Sequence, residues 1–344
     1  LNRLPGRLLH VNVLGCGLFG AVCGSSAVTC ATIGKIWLAQ LSRRGYDDRM
    51  ALGSLCGSGT LGILIPPSIV MIVYAVASDV SVIRMFIAGI LPALLVLVLF
   101  SGYIILWSLR HPDRIPPEPD DRSFWERVRA TSALIPVVLL IAFVFLSMVT
   151  GVATANEASA FGVLGALLIA WWGRSLTWQT FTASLSGALR LSGMIMFILG
   201  ASAFLTVAMG FTGIPKAASE WVAALNLSPY TLILVLTAVY LVMGCFLDGV
   251  SMIVLTTAVV LPMVERAGFD PIWFGCYIVL MIELAQVTPP VGFNLFVLQG
   301  MSGRPILFIA KAAIPFALLL VLATVLLVVF PGMATWLPSV VMGK

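Results

Sequence analysis

The amino-acid sequence predicts an all-α integral membrane protein. Of the 344 residues, 60% are hydrophobic and only 10% are charged, and the mean hydropathy is +1.10. About a quarter of the residues in an ordinary soluble domain are charged. The apolar residues form long runs, whereas the strands of a membrane β-barrel would be short and alternating, so the spans are predicted to be helices.

Several of these runs are long enough to cross a bilayer, which needs about 20 helical residues. Two further apolar stretches, 13–42 and 229–263, are shorter or interrupted by small and polar residues. The predicted crossings lie near 50–78, 82–108, 131–150, 159–173, 187–209, 271–300 and 306–330.

The net charge of +5 does not indicate a nucleic-acid partner, because the basic residues lie in short connections between apolar runs. Arg43, Arg44 and Arg49 occupy one such connection, and a second contains five arginines between 110 and 129. Positively charged loops mark the cytoplasmic side of a membrane protein. Both connections are therefore predicted to be cytoplasmic.

Two proline pairs interrupt apolar runs that would otherwise be continuous helices. Pro66–Pro67 lies in LGILIPPSIVM at 61–71, and Pro289–Pro290 lies in AQVTPPVGFNLF at 285–296. The offset is 289 − 66 = 223, and Pro92 and Pro315 have the same offset, 315 − 92 = 223. The two parts of the chain are therefore predicted to be related repeats.

The cytoplasmic connections predict that the two proline-containing crossings run in opposite directions, so that the repeat is inverted. Inverted repeats with discontinuous helices are typical of secondary transporters, whose sites lie at the helix breaks. The predicted regions are a first inverted repeat (1–110), a cytoplasmic linker (111–130), connecting or scaffold helices (131–185) and a second inverted repeat (186–344). Each repeat is predicted to contain a re-entrant hairpin, a broken helix and a following helix.

Small and hydroxyl-bearing residues surround the breaks and the predicted hairpin tips. Their neutral oxygens can bind a hard cation or donate hydrogen bonds to a carboxylate, and their glycines allow close approach of the backbone. In the first repeat they are Ser25, Ser26, Gly57, Ser58, Gly59 and Thr60, and in the second Gly249, Ser251, Thr288 and Gly292. The amide of Asn294 and the carboxylate of Asp248 lie beside the second group.

Five segments resemble the large membrane subunit of TRAP (tripartite ATP-independent periplasmic) transporters, the DctM-like family. They are GTLGILIPPSIVMIVYA at 59–75, TANEASAFGVLGALL at 154–168, FLDGVSMIVLTTAVVLP at 246–262, DPIWFG at 270–275 and TPPVGFNLFVLQG at 288–300. The resemblance implies a sodium-coupled importer of small organic acids, of elevator type, in the bacterial inner membrane. Its implied partners are a small membrane subunit, a periplasmic solute-binding protein and a carboxylate substrate.

The resemblance also implies roles for individual residues. Sodium ions are the only metal expected, and no other cofactor is expected. One sodium site would comprise Ser25, Ser26, Gly57, Ser58, Gly59 and Thr60, and a second Gly249, Ser251, Thr288 and Gly292. Substrate would contact Pro66, Pro67, Asp248, Pro289, Pro290 and Asn294.

Three acidic residues, Glu157, Asp248 and Glu283, lie in or beside apolar runs, where a charge is costly and suggests function. Glu157 is expected to pair near a helix end, Asp248 to act at the site or as a cap, and Glu283 to hydrogen-bond the backbone freed at its own break. The six cysteines lack paired spacing and are expected to be packing residues.

An intramembrane enzyme is not expected, because His10 and His111 are remote from each other and form no HExxH motif. The main alternative is another elevator-type anion transporter or antiporter, coupled to sodium or protons, that works without a binding protein. A channel is a further alternative, although hairpins with broken helices suit alternating access better. Residue 1 is leucine, and the first helices of the resembling family have no counterpart here, so we expect a processed or trimmed start.

Overall fold

A computed structural model describes residues 4–116, 134–213, 227–290 and 292–343, with a few positions between 213 and 227. Most of the predicted linker, 111–130, lies outside the described residues. The described part is all α-helical, as predicted. Its first helices are α1 (Leu9–Cys23), α2 (Ser26–Arg43), α3 (Asp48–Leu64), α4 (Ile69–Ala77) and α5 (Val82–Arg110), followed by a 3-10 turn at Pro112–Arg114.

The helices that follow are α6 (Ile135–Val149), α7 (Ala155–Trp172), α8 (Trp178–Thr212), α9 (Pro229–Gly244), α10 (Gly249–Arg266), α11 (Pro271–Val287), α12 (Phe293–Ser302), α13 (Ile306–Val329) and α14 (Gly332–Met342). Of all the described helices, α5, α8, α10 and α13 are each long and apolar enough to cross a membrane. The bent pair α3 and α4 also has the length and composition of a single span. These features confirm an all-α membrane protein.

The first predicted hairpin is a pair of helices joined by a two-residue tip. Helix α1 ends because Gly24 adopts a left-handed conformation (φ 63°), and its N–H donates to the Gly20 carbonyl at 2.8 Å. Glycine is favoured there because it has no Cβ to clash. Ser25 is extended (φ −135°, ψ 128°), and α2 begins at Ser26. The chain therefore reverses at Gly24 and Ser25.

The first predicted break separates α3 from α4, with a bend of 43°. Helix α3 is buried from Met50 to its end at Leu64, and the next residue, Ile65, has the extended conformation (ψ 122°) that is favoured before proline. Ser68 then starts α4: its side chain accepts from the Met71 N–H at 3.4 Å and donates to the Ile63 carbonyl at 2.5 Å. Ser68 thus satisfies backbone groups on both sides of the break.

The second half of the chain repeats this order of elements. Helices α9 and α10 flank a short turn, and Asp248 caps α10. Helix α11 is capped by Asp270, is buried from Trp273 to Ala285 and ends at Val287, and α12 begins at Phe293. The Pro66–Pro67 and Pro289–Pro290 peptide bonds are both cis.

The packing of the two halves is also similar. Helices α1 and α2 pack on α3, while α9 and α10 pack on α11. Each short half-helix crosses to the hairpin of the other half, since α12 packs on α2 and α4 packs on α10. Gly20 lies against Gly62 of α3, and Gly244 lies against Ala285 of α11. The Gly20 and Gly62 contact therefore has a counterpart in the second half.

The described structure divides into two compact units, one formed by 1–118 and 206–344 and the other by 119–205. In the second unit α6 packs on α7, and large apolar side chains such as Phe197 and Phe204 are exposed. Apolar exposure of this kind suits contact with lipid. Glu157 forms a capping box with Thr154 at the start of α7, which is the expected pairing near a helix end.

All six cysteines are free, and Cys16, Cys30, Cys56 and Cys276 are buried. Their expected role as small packing residues agrees with these positions.

Close approach of the first hairpin to α3 predicts that Gly62→Ala destabilises the protein by about 1–3 kcal/mol. A Cβ at Gly62 would lie 2.6 Å from Thr29 Oγ1 and 2.8 Å from the Ser25 carbonyl oxygen. Thermal unfolding of the purified chain in detergent measures the effect. Gly102→Ala in α5 is the matched control, since nothing lies within 4 Å of its Cβ position. Equal melting temperatures for the two variants would contradict this packing.

Candidate functional site

The tip of the first hairpin lies against the first helix break. A Cβ on Gly24 would lie 3.2 Å from the Ile69 nitrogen and 3.4 Å from the Pro67 carbonyl oxygen. The Ser25 carbonyl lies beside Gly62, one turn before the break. The structure therefore brings together two of the segments predicted to form the first site.

A buried hydrogen-bond network ties this junction to the second half of the chain. Ser26 Oγ donates to Asn294 Oδ1 at 2.9 Å, and Asn294 Nδ2 donates to the Cys56 carbonyl at 3.0 Å. Ser26 is 3% exposed and Asn294 is 0% exposed. The network joins α2, α3 and α12. Asn294, predicted as a substrate residue, thus contacts a predicted sodium ligand of the first repeat.

Two buried hydroxyl groups near this network have no hydrogen-bond partner among the described residues, Thr29 Oγ1 and Ser58 Oγ. Leaving a buried polar group unsatisfied costs about 1–3 kcal/mol, so each such group calls for a partner, which can be a water molecule or an ion. Sequence reasoning identified Ser58 but missed Thr29. Thr29 lies three residues after Ser26, a spacing that places both on one helix face and could have identified it.

Ser58 and Thr60, predicted as ligands of one ion, point to different sides of α3. Residues two apart on a helix are separated by about 200° around its axis. Thr60 Oγ1 donates to the Gly57 carbonyl at 2.8 Å. Gly59, on a third side, lies against Cys30 and Asn294: its Cβ would be 2.9 Å from Cys30 Cβ. The candidate first site is therefore drawn around the hydrogen-bonded pair Ser26 and Asn294, with Thr29 of α2 and Ser58 of α3 as the unpartnered buried hydroxyls on the helices that this pair joins.

The tip of the second hairpin is organised by Asp248. Its Oδ2 accepts from the Val250 N–H at 3.0 Å and from the Ser251 N–H at 3.3 Å, and its Oδ1 accepts from the Ser251 hydroxyl. Gly249 packs on Ile282 of α11. Asp248 is therefore a helix cap in this structure, and its capping also fixes the orientation of Ser251.

The second break is more open than the first. Pro289 and Pro290 are exposed, whereas Pro66 and Pro67 are half-buried. Thr288 Oγ1 donates to the Leu284 carbonyl at 2.6 Å, and the Gly292 N–H donates to the Thr288 carbonyl at 3.1 Å.

A cysteine of the second hairpin contacts the backbone at this break. Cys245 Sγ lies 3.7 Å from the Pro289 carbonyl oxygen. The hydroxyls of Ser251 and Thr288 instead donate to groups of their own helix and its cap. Their oxygens retain lone pairs that could face a ligand.

A cavity of about 740 Å³ lies along the seam between α2 and α12. Gly34 and Met301 meet within it, and its rim carries the ion pair between Arg304 and Asp48. Its other lining residues include Lys35, Leu38 and Ser42. The same seam leads along α2 to Ser26, so the cavity and the buried network lie on one pair of helices.

Glu283 of α11 is fully buried, with 0% exposure. Its position in the sequence predicts a bond to the backbone freed at its own break, but no backbone group of the described residues bonds either carboxyl oxygen. The reason is its position, because the carboxyl group interacts with the Thr60 side chain of α3 instead.

Helices broken inside a membrane bundle, with buried oxygens gathered where a hairpin tip meets a break, define a membrane transport permease. The sequence model of the family described as "Tripartite ATP-independent periplasmic transporter, DctM component" matches residues 2–333. The chain belongs to this family, the TRAP transporter large permeases, as its sequence resemblance predicted.

The names of similar proteins contain different substrates. The chain is 32% identical to the C4-dicarboxylate TRAP transporter large permease protein DctM of Pseudomonas aeruginosa, over 98% of this chain and 79% of that protein. It is 31% identical to the ectoine TRAP transporter large permease protein TeaC of Halomonas elongata (98% and 78%). It is 27% identical to the isethionate TRAP transporter permease protein DctMQ of Oleidesulfovibrio alaskensis (99% and 53%).

Membership of this family makes the chain a transporter component and not an enzyme. Large permeases of the family work with a small permease and a periplasmic binding protein.

The network between the two halves predicts an energetic coupling between Ser26 and Asn294. We expect Ser26→Ala and Asn294→Ala each to destabilise the protein, and the double variant to be destabilised by less than the sum, with a coupling of about 1 kcal/mol. Unfolding of the single and double variants in detergent measures the coupling. Ser302→Ala is the control partner, because its hydroxyl donates within α12 to Leu298. Additive effects of Ser26→Ala and Asn294→Ala would contradict the network.

Proposed function

We propose that the chain is the large membrane subunit of a sodium-coupled secondary transporter that imports small organic acids. A periplasmic binding protein delivers the carboxylate substrate, and the bacterial inner membrane houses the complex. The observation that carries the proposal is a pair of buried hydroxyls without a hydrogen-bond partner among the described residues, Thr29 on α2 and Ser58 on α3, the two helices to which Asn294 is hydrogen-bonded.

Sodium is favoured as the coupling ion by the chemistry of this cluster. Its side chains are three hydroxyls and one amide, and the carbonyl groups of Ser25 and Cys56 lie close by. Hard cations prefer oxygen ligands. A monovalent ion can be held by neutral oxygens alone, whereas proton coupling at this position would need a titratable group.

The short helices that follow the two breaks, α4 and α12, favour an anionic substrate. Helices α4 and α12 both begin directly after a break, at Ile69 and Phe293. The N-terminal end of a helix carries a partial positive charge and unpaired N–H groups, so it attracts carboxylates. In this proposal the substrate lies between the two breaks and contacts Pro66, Pro67, Pro289 and Pro290. The C4-dicarboxylate relative makes dicarboxylates the first candidates.

The second predicted sodium site belongs to the same proposal. Gly249, Ser251, Thr288 and Gly292 would supply its oxygens. Asp248 would act there as the cap that orients Ser251, as its hydrogen bonds indicate.

Alternating access would follow from an inverted repeat of elevator type. The similar packing of the two hairpins on α3 and α11, and the exchange of α4 and α12 between the halves, support this relation. The moving part would comprise the two repeats, 1–110 and 186–344. The helices of 131–185 would belong to the scaffold, and 111–130 would link them on the cytoplasmic side.

We expect uptake of a labelled C4-dicarboxylate into proteoliposomes to require an inward sodium gradient, the small subunit and the cognate binding protein. Ser58→Ala should raise the sodium concentration for half-maximal uptake by about tenfold, since losing one oxygen ligand costs about 1.4 kcal/mol. Ser302→Ala, far from the break along α12, should leave it unchanged. Uptake that follows a proton gradient, or that proceeds without the binding protein, would instead identify a different anion transporter.

A further inference from the structure

The cavity at the seam between α2 and α12 contains more positive than negative charge. Its lining residues include Lys35 of α2, Arg304, which follows α12, and the acidic residue Asp48 at the start of α3. Asp48 forms an ion pair with Arg304. The other ion pairs of the described residues do not involve Lys35. Lys35 is therefore a cation without an acidic partner in the described part of the chain.

A second arginine adds to this positive charge. The guanidinium carbon of Arg49 lies 5.5 Å from the centroid of the Phe308 ring, and that of Arg304 lies 5.6 Å from the same centroid. The ring attracts each cation but does not cancel its charge. Asp47, two residues before Arg49, pairs with Arg114 instead. Arg49 itself forms no ion pair among the described residues, so this end of the seam holds a cluster of cations with too few carboxylates to balance it.

Apolar surface adjoins the charged part of the cavity. Leu38, Leu52 and Met301 line the cavity together with the basic residues. Nearby in the chain, Ile36 and Leu307 are 56% and 65% exposed. A small hydrophilic anion would use only the cations. A ligand that has both a phosphate group and an acyl chain matches the cations and the apolar surface together.

The position of the cavity along α2 agrees with the headgroup level of a bilayer. Lys35 lies nine residues after Ser26, which is about 14 Å along a helix, and half of the hydrocarbon core is about 15 Å thick. The proposed function places the hairpin tip at Ser26 near the midplane. Trp37 is half-buried, and tryptophan is enriched at the membrane interface. The predicted cytoplasmic residues Arg43 and Arg44 follow on the same side.

We propose that the seam cavity binds the phosphate group of an anionic phospholipid from the cytoplasmic leaflet, with Lys35 and Arg304 as its ligands. Basic pockets between transmembrane helices on the cytoplasmic side bind such headgroups. The side chains of the Arg304 and Asp48 pair are 52% and 40% exposed, and an exposed ion pair contributes little to stability. Arg304 can therefore share its five donors between Asp48 and a phosphate. The inference goes beyond the proposed function and rests on it only for the position of the hairpin tip in the membrane.

Titration of the purified full chain in detergent, read by native mass spectrometry, tests the site. The added ligand is phosphatidylglycerol, phosphatidylcholine with the same acyl chains, or inorganic phosphate. We expect the wild type to bind phosphatidylglycerol about tenfold more tightly than phosphatidylcholine, because only phosphatidylglycerol has a net negative charge. Lys35→Gln and Arg304→Gln should each remove most of this preference and leave phosphatidylcholine binding unchanged.

Arg84→Gln is the matched control. Arg84, in the first turn of α5, lines a separate cavity of about 200 Å³ that also contains Asp270. The variant therefore removes an arginine near a carboxylate without a change at the seam, and its preference for phosphatidylglycerol should equal that of the wild type. Size-exclusion profiles show whether each variant folds. If Arg304→Gln does not fold, Lys35→Gln carries the test, because it breaks no ion pair among the described residues.

Equal affinities of the wild type for the two lipids overturn the lipid site. So does a preference that Arg84→Gln lowers as much as Lys35→Gln does. Binding of inorganic phosphate that depends on Lys35, without a preference between the lipids, assigns the cavity to a small anion and overturns a lipid as its occupant. The titrations contain neither sodium nor a dicarboxylate, so their failure does not affect the proposed sodium-coupled uptake, and a failure of uptake does not affect the measured lipid preference.

Discussion

The contact between the first hairpin tip and the first broken helix is the constraint on which the rest of the site depends. Within a bilayer, the backbone groups freed by a helix break must be satisfied by the protein or by a cavity. Gly20, Gly24 and Gly62 allow backbone to approach backbone there, and Ser68 bonds groups on both sides of the break. Polar oxygens can therefore remain buried next to an interrupted helix.

The candidate first site needs residues from both halves of the chain. The hairpin of the first half provides Ser26, but the amide that accepts its hydrogen bond comes from Asn294 in the second half. Because α12 packs on α2, while α4 packs on α10, each break is held by a hairpin of its own half and a half-helix of the other. Direct packing therefore connects each half-helix to the hairpin of the other half.

Local sequence rules predicted much of this architecture. Proline pairs end helices by removing backbone donors, so both breaks were predictable, and long apolar runs made the spans α5, α8 and α13 predictable. Helix α10 is also long and apolar enough to span, although its small and polar residues had placed it in a predicted hairpin. The hydrogen-bond partner of Ser26 was not predictable from the sequence, since Asn294 is 268 residues away and no local pattern encodes the contact. Thr29 was missed because one threonine in an apolar run resembles an ordinary packing residue. The environment of Glu283 depends on a crossing of two helices that only the folded chain provides.

The hydrogen bond between Ser26 and Asn294 has a consequence for biogenesis. The ribosome synthesises the chain from its N-terminus, so the first hairpin emerges long before α12 is made. During that interval Ser26 lacks the Asn294 amide that accepts its hydrogen bond in the folded chain. The hydrogen bond between the two halves can therefore form only after α12 has been synthesised, so the buried polar contact is among the later ones to be made.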